Sequence, residues 1–173
     1  KDPVFARYIQ SILNAKMVEV CSTTLSQKAI PHIFTHPDYN RYLEERRSRY
    51  EKFSNLAFDT LNRLPGVLVN RTNGAFYMSV VFESGALNER QTLPIPIGEA
   101  RSLVEELTAD PTMELDKRFV YYLLAATGIC VVPLSSFNTD LQGFRMTLLE
   151  PDETVFRCIL DKLENSIQGY LRS

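Results

Sequence analysis

No apolar run in this 173-residue chain approaches the roughly 20 residues that a helix needs to cross a bilayer. Charge of one sign is also lacking: 19 basic residues against 21 acidic ones leave a net charge of −2. That balance removes the broad electrostatic attraction on which binding to nucleic acid or anionic lipid depends, so neither partner is expected. Cysteine and histidine are scarce. Cys21, Cys130 and Cys158 cannot all pair with one another, and no Cys-x-x-Cys occurs. His32 and His36 are remote in sequence from Cys130 and Cys158, so no metal site is signalled. Reduced thiols in a cytoplasmic setting fit this usage. Cys130, inside Ile129-Cys130-Val131-Val132, reads as a small buried hydrophobe. The opening Lys1-Asp2-Pro3-Val4-Phe5 lacks both the apolar stretch of a secretory signal and an initiator Met. A processed or excised piece of a longer protein is the expectation.

What is present supports a core. Hydrophobic residues make up 45% and charged ones 23%, ordinary for a globular chain and enough for one domain, with or without a fragment of a second. Val4, Tyr8, Ile12 and Ala15 recur at helical spacing over 3–17, with Asp2-Pro3 as cap and first turn. A Ser/Thr-rich break at Cys21-Ser22-Thr23-Thr24 precedes a short helix over 26–34, stopped by His36-Pro37-Asp38. The longest helical pattern covers 38–64, with Leu43, Tyr50, Phe53, Ala57, Thr60 and Leu64 as its apolar stripe and Pro65-Gly66 as its end. Its Arg46, Arg47 and Arg49 alternate with Glu44, Glu45 and Glu51, the pattern of a solvated face rather than a nucleic-acid patch.

Strand patterns follow at 67–70 and 75–82, joined through Asn73-Gly74, a turn signal because both residues tolerate positive φ. Asn70-Arg71-Thr72 is formally a glycosylation sequon, discounted without a secretory signal. Residues 83–98, broken by Gly85, Pro94, Pro96 and Gly98, read as a loop: either a mobile flap beside a substrate or a plain surface excursion. Helices are predicted over 97–107 and 113–126, the latter closed by Gly128. Strands at 129–133 and 144–148 come next. A final helix over 151–171 carries Val155, Ile159, Leu163 and Ile167, capped by Asp152 or Glu150. This order specifies an α+β fold: a two-layer small domain with a short, mostly antiparallel sheet covered by helices.

The most informative residue is Arg145, the single cation near the start of the last strand. A guanidinium cannot lose its proton to escape burial, so it must meet an anion or remain at a cost. Its planar fork suits a carboxylate, gripped through two parallel hydrogen bonds. An internal Asp or Glu partner would serve structure; an anion supplied from outside would serve function. The residue alone does not choose.

The surrounding sequence does. Val131-Val132-Pro133, Ser135-Ser136-Phe137 and Phe144-Arg145-Met146-Thr147-Leu148, together with the upstream Asn73-Gly74-Ala75-Phe76-Tyr77, resemble the C-terminal segment of class I/II aminotransferases. These are fold-type I enzymes that use pyridoxal phosphate, and the wording is most similar to the alanine aminotransferases. Leu134 and Asn138 stand where that family usually has glycine. The resemblance implies that residues 1–37 are a remnant of the large cofactor-binding domain. It implies that 38–173 form the small domain, entered through a long interdomain helix. It further implies that Arg145 binds the substrate α-carboxylate and that the full-length protein is a cytoplasmic homodimer.

The family's Schiff-base lysine is expected to lie outside this chain. Lysines occur at positions 1, 16, 28, 52, 117 and 162, none in the family's lysine setting. Ser26-Gln27-Lys28 is superficially similar, but Gln27 matches a helix start that follows the large domain, which makes Lys28 an exposed helix residue. Catalytic and cofactor-binding residues are therefore none, and the fragment is expected to be inactive alone. The alternatives are a lyase or synthase of the same pyridoxal family, or a non-enzymatic α+β interaction module in which Arg145 sits in an internal ion pair.

Overall fold

The computed structural model describes residues 3–18 and 23–173. The expected Asp2 cap and the Cys21-Ser22 part of the predicted break lie outside the described residues. The chain divides into two compact units, Lys1–Glu45 and Arg46–Ser173, with the division falling inside one helix.

The first unit contains α1 (Pro3–Met17) and α2 (Thr24–Phe34), neither with a buried residue. Helix α2 starts two residues before the predicted start and keeps its stop. Thr35 donates to the Pro31 carbonyl through both its backbone N–H (3.0 Å) and its hydroxyl (2.8 Å), which ends the helix before His36-Pro37. Lys28 is exposed on α2, as its helical placement requires.

Helix α3 (Tyr39–Leu61) is 23 residues long, about 35 Å at 1.5 Å per residue. It ends at Leu61 rather than Leu64. The chain leaves through a turn closed by Leu64 N–H to the Leu61 carbonyl (3.1 Å), and Gly66 completes the exit at φ +79°. Phe53, Ser54, Ala57 and Leu61 face the core, so the buried stripe runs through Leu61 and Ser54, not through Thr60.

The second unit is a two-layer α+β domain. Strands β1 (Val67–Val69), β2 (Tyr77–Phe82), β3 (Val132–Pro133) and β4 (Gly143–Thr147) form an antiparallel sheet in the order β1-β2-β4-β3. Helices α4 (Gly98–Leu107), α5 (Leu115–Thr127) and α6 (Glu153–Arg172) complete the predicted element order. Period-2 alternation separates the faces of the sheet. Met78, Val80, Phe82, Phe144 and Met146 are buried and join Phe53, Phe119, Phe156, Leu160 and Ile167 in one core. Phe53 stacks on Phe156 at 4.5 Å between centroids, and Phe119 meets Phe82 and Tyr170 edge-on at 5.1 Å. The other face carries Leu68, Tyr77, Val132 and Thr147, all exposed, with Ser79, Val81 and Arg145 half-buried among them. Within this unit that face is bare.

Two glycines have clear reasons. Gly128 caps α5 in the left-handed region at φ 78°. Gly143 sits in a β4 position where a Cβ would lie 2.2 Å from the Val80 carbonyl oxygen, so no side chain fits there. Helix α6 is capped as expected by Asp152, whose Oδ1 accepts from Thr154 N–H (2.7 Å) and Val155 N–H (3.1 Å).

Several expectations are corrected. Cys130 is exposed rather than buried. The strand predicted over 129–133 is ordered only at Val132–Pro133, and the alternation turns Val131 inward and Cys130 outward. The β1–β2 connection places its positive φ on Ala75 (φ 61°), not on Asn73 or Gly74. The connection is longer than a two-residue hairpin, so the tight-turn geometry that favours Asn-Gly does not apply. The 83–98 loop is a surface excursion anchored at four points. Leu87, Gln91, Leu93 and Ile95 are buried. The Gln91 side chain accepts from Asn88 N–H (2.9 Å) and donates to the Ala86 carbonyl (3.0 Å), which fixes the loop to itself. A Cβ at Gly169 of α6 would touch Leu93, which puts the loop on the helical side of the domain.

Tyr170 is fully buried with no partner for its hydroxyl among the described residues, and burial pushes its pKa up to about 12. The folded state therefore favours the neutral phenol. That contribution is complete below the unfolded value near 10 and is lost as pH rises towards 12. Urea unfolding should show stability falling by about 2 kcal/mol across this window. Tyr170→Phe should remove that part of the alkaline loss; an identical loss in the variant would contradict the assignment.

Candidate functional site

Arg145 is the third residue of β4, an interior strand with β2 on one side and β3 on the other. Its direct neighbours across the sheet are Ser79 and Val132. Because strand residues alternate, an Arg between buried Phe144 and buried Met146 must point to the bare face. The fold thus presents this guanidinium rather than burying it in the core.

Two aromatic rings hold it. Its Cζ lies 3.9 Å from the ring centroid of Phe137 and 4.5 Å from that of Tyr77. Tyr77 opens β2 and reaches Arg145 diagonally, since its direct partner is Thr147. Phe137 ends a 3-10 turn (Leu134–Phe137) between β3 and β4. Each contact of this type contributes about 0.5–2 kcal/mol. Stacking uses the flat faces of a guanidinium and leaves its N–H groups, which lie in the plane, free to donate. Among the described residues, no carboxylate pairs with Arg145 and no hydrogen bond engages its nitrogens. Exposed arginines elsewhere in the second unit do find acids: Arg71 reaches Asp59 at 3.4 Å and Arg157 reaches Glu153 at 2.9 Å.

The turn carrying Phe137 accommodates a non-glycine residue at both Leu134 and Asn138. Asn138 occupies the left-handed region (φ 53°, ψ 45°) that a glycine would take, and Asn is the residue that tolerates it best after Gly. Leu134 is not at positive φ; its side chain is buried and would contact a Cβ at Gly143.

Asp116 was not signalled by the sequence as a site residue. It is fully buried near the start of α5. Its carboxylate accepts from Ser135 Oγ (2.7 Å), Ser135 N–H (2.9 Å) and Gly143 N–H (3.2 Å). Gln142 reinforces the junction: its side-chain oxygen accepts from Asp116 N–H (3.0 Å) and its Nε2 donates to Glu114 (3.2 Å). In the sequence Asp116 looked like an ordinary acid in the first turn of a helix, and nothing marked its distant partners.

Lys16, Lys28, Lys52, Lys117 and Lys162 are all exposed, and Lys52 is paired with Glu153. A separate cavity of about 440 Å³ lies beside the 71–75 loop, lined by Arg47, Tyr50, Asn55, Arg71 and Asn73 among others; Arg145 is not in its wall.

No protein-family model matches the chain. An uncharacterized aminotransferase of Methanocaldococcus jannaschii is 50% identical over the whole of this chain and 40% of its own length. Alanine aminotransferase 1 of Bos taurus is 30% identical over 89% of this chain and 30% of its own length. Among solved structures, an alanine aminotransferase from Pyrococcus furiosus superposes with a TM-score of 0.65 at 21% identity. That match covers 95% of this chain and 35% of the other. The chain is homologous to aminotransferases, alanine aminotransferases among them, and its fold is that of their small α+β domain. It spans less than half the length of these relatives.

The Asn138 conformation is open to a direct check. Asn138→Gly should leave stability within about 0.5 kcal/mol, whereas Asn138→Val, with a branched Cβ at positive φ, should cost about 1–2 kcal/mol in urea unfolding. Equal effects would mean that the left-handed turn is not held.

Proposed function

We propose that this chain is the small, C-terminal domain of a pyridoxal-phosphate-dependent aminotransferase, and that Arg145 receives the α-carboxylate of its substrates. A small amino acid such as alanine, with a 2-keto acid as acceptor, is the substrate class this reading favours. The observation that carries it is a half-buried guanidinium, stacked on two rings and without an acid among the described residues. A pair of in-plane donors held in this way matches a carboxylate bidentately. The non-enzymatic alternative needed an internal ion pair at Arg145, and no described carboxylate supplies one.

The cofactor belongs to the rest of the protein. Pyridoxal phosphate supplies the electron sink for amino transfer in this family, and no described lysine offers a protected amine to bind it. Residues 1–37 would be the tail of the large domain that does so, and α3 the link between domains. The role of this chain is to bind and orient. Fixing the carboxylate fixes the direction of the bond to the α-hydrogen, and orientation of this kind contributes several kcal/mol to a barrier. Burial of the carboxylate against the bare sheet face would also draw the small domain closed and exclude water. A cytoplasmic homodimer is the corresponding setting for the whole protein. A lyase or synthase of the same cofactor family would use Arg145 identically, and a substrate panel on the full-length protein separates these chemistries.

Two outcomes follow. In the full-length protein, Arg145→Lys should raise KM for amino and keto acids about a hundredfold, because a point charge replaces a planar fork. The urea midpoint should stay nearly constant; unchanged KM with a large loss of stability would refute the binding role. The 173-residue chain alone, mixed with alanine, 2-oxoglutarate and pyridoxal phosphate, should show no turnover and no internal aldimine absorbance. Sustained turnover would show that a lysine within it is catalytic.

A further inference from the structure

We infer that Asp116 is a positioning residue for Arg145, setting the distance between the guanidinium and the ring of Phe137; this rests on the reading of Arg145 as the carboxylate receptor. The geometry is symmetrical about one buried carboxylate. Asp116 holds the 3-10 turn at Ser135, two residues before Phe137, and holds β4 at Gly143, two residues before Arg145. In a strand, residues two apart share a face, so fixing Gly143 fixes where Arg145 emerges. In a 3-10 turn of four residues, fixing Ser135 by both its N–H and its hydroxyl leaves little freedom for Phe137. The Gly143 N–H would otherwise be unsatisfied inside the protein, because Gly143 is buried and its acceptor Asp116 is wholly screened from water.

Asp116 does not touch the bare face of the sheet. It lies at the start of α5, where the positive end of the helix dipole compensates its charge without a cation. Any influence on an anion at Arg145 therefore passes through the backbone it holds. Alanine offers no acceptor, so Ser135 N–H, the Ser135 hydroxyl and Gly143 N–H would all lose their shared partner. The turn and the strand would then separate, and the ring would no longer fix the plane of the guanidinium. A loosened guanidinium still attracts a carboxylate but no longer presents both donors at once. The expected signature is weaker binding of substrates that carry an α-carboxylate, with little effect on those that lack one.

The test uses the full-length protein. Asp116→Ala should raise KM for the amino acid at least tenfold with kcat changed less than threefold. The single-turnover rate with the matching amine, which has no carboxylate, should stay within twofold. Ser135→Ala removes one of the three hydrogen bonds and should raise KM about threefold, and Ser135→Thr, which keeps the hydroxyl, should restore it. If Asp116→Ala does not fold, the Ser135 pair decides. Equal losses with amino acid and amine, or an unchanged KM in Ser135→Ala, would overturn the positioning role. Arg145→Lys distinguishes the two levels. Loss of discrimination between amino acid and amine there, without loss in the Asp116 and Ser135 variants, sinks this inference alone. Retained discrimination in Arg145→Lys sinks the receptor reading beneath it.

Discussion

An arginine in the middle of an interior strand is the constraint on which this domain turns. The guanidinium stays charged, so the sheet must leave one face open or provide an acid. This domain leaves the face open. The alternation of β4 sends Phe144 and Met146 into the core and Arg145 away from it, and Phe137 and Tyr77 close over the guanidinium. No acid among the described residues occupies its edge. Stacking in place of pairing keeps the cation in place while leaving its hydrogen-bond donors available to a molecule from outside.

The rest of the second unit exists to hold that arrangement still. The aromatic core of Phe53, Phe82, Phe119, Phe144, Phe156 and Tyr170 welds α3, α5 and α6 to the back of the sheet. A close-packed core of this kind transmits strain rather than absorbing it, so the position of β4 is set by everything behind it. Gly143 lets β4 approach β2 so closely that any side chain there would collide with the Val80 carbonyl. Asp116 then ties the entrance of β4 to the turn that carries Phe137.

Much of this was legible in the sequence, and the failures have physical causes. Helices α5 and α6 fell where periodicity placed them, because burial of one face dominates their energetics; α1 follows its apolar spacing too, although none of its residues is buried. Arg145 stood out because a charge inside an apolar strand is rare. The strand at β3 was over-extended because Ile129-Cys130-Val131-Val132 has strand composition, yet only two residues find a partner in β4. Cys130 was misplaced for the same reason: a continuous apolar run hides the alternation that decides which side each residue faces. The 83–98 loop read as a flap or a surface excursion from its prolines and glycines; it runs along the surface, but Leu87, Leu93 and Ile95 anchor it and the Gln91 side chain ties its backbone together. Asp116 could not be assigned a role beforehand, since contacts across 19 and 27 positions of sequence leave no local pattern.

The account stands or falls on where an incoming carboxylate binds. A crystal structure of the full-length protein with a substrate-like amino acid or keto acid would measure it. Two parallel hydrogen bonds of about 2.8 Å from the Arg145 guanidinium to the ligand's α-carboxylate, with Phe137 and Tyr77 still against its faces, are the predicted result. A ligand whose carboxylate is held elsewhere, with Arg145 paired to an acid of the protein itself, would contradict it.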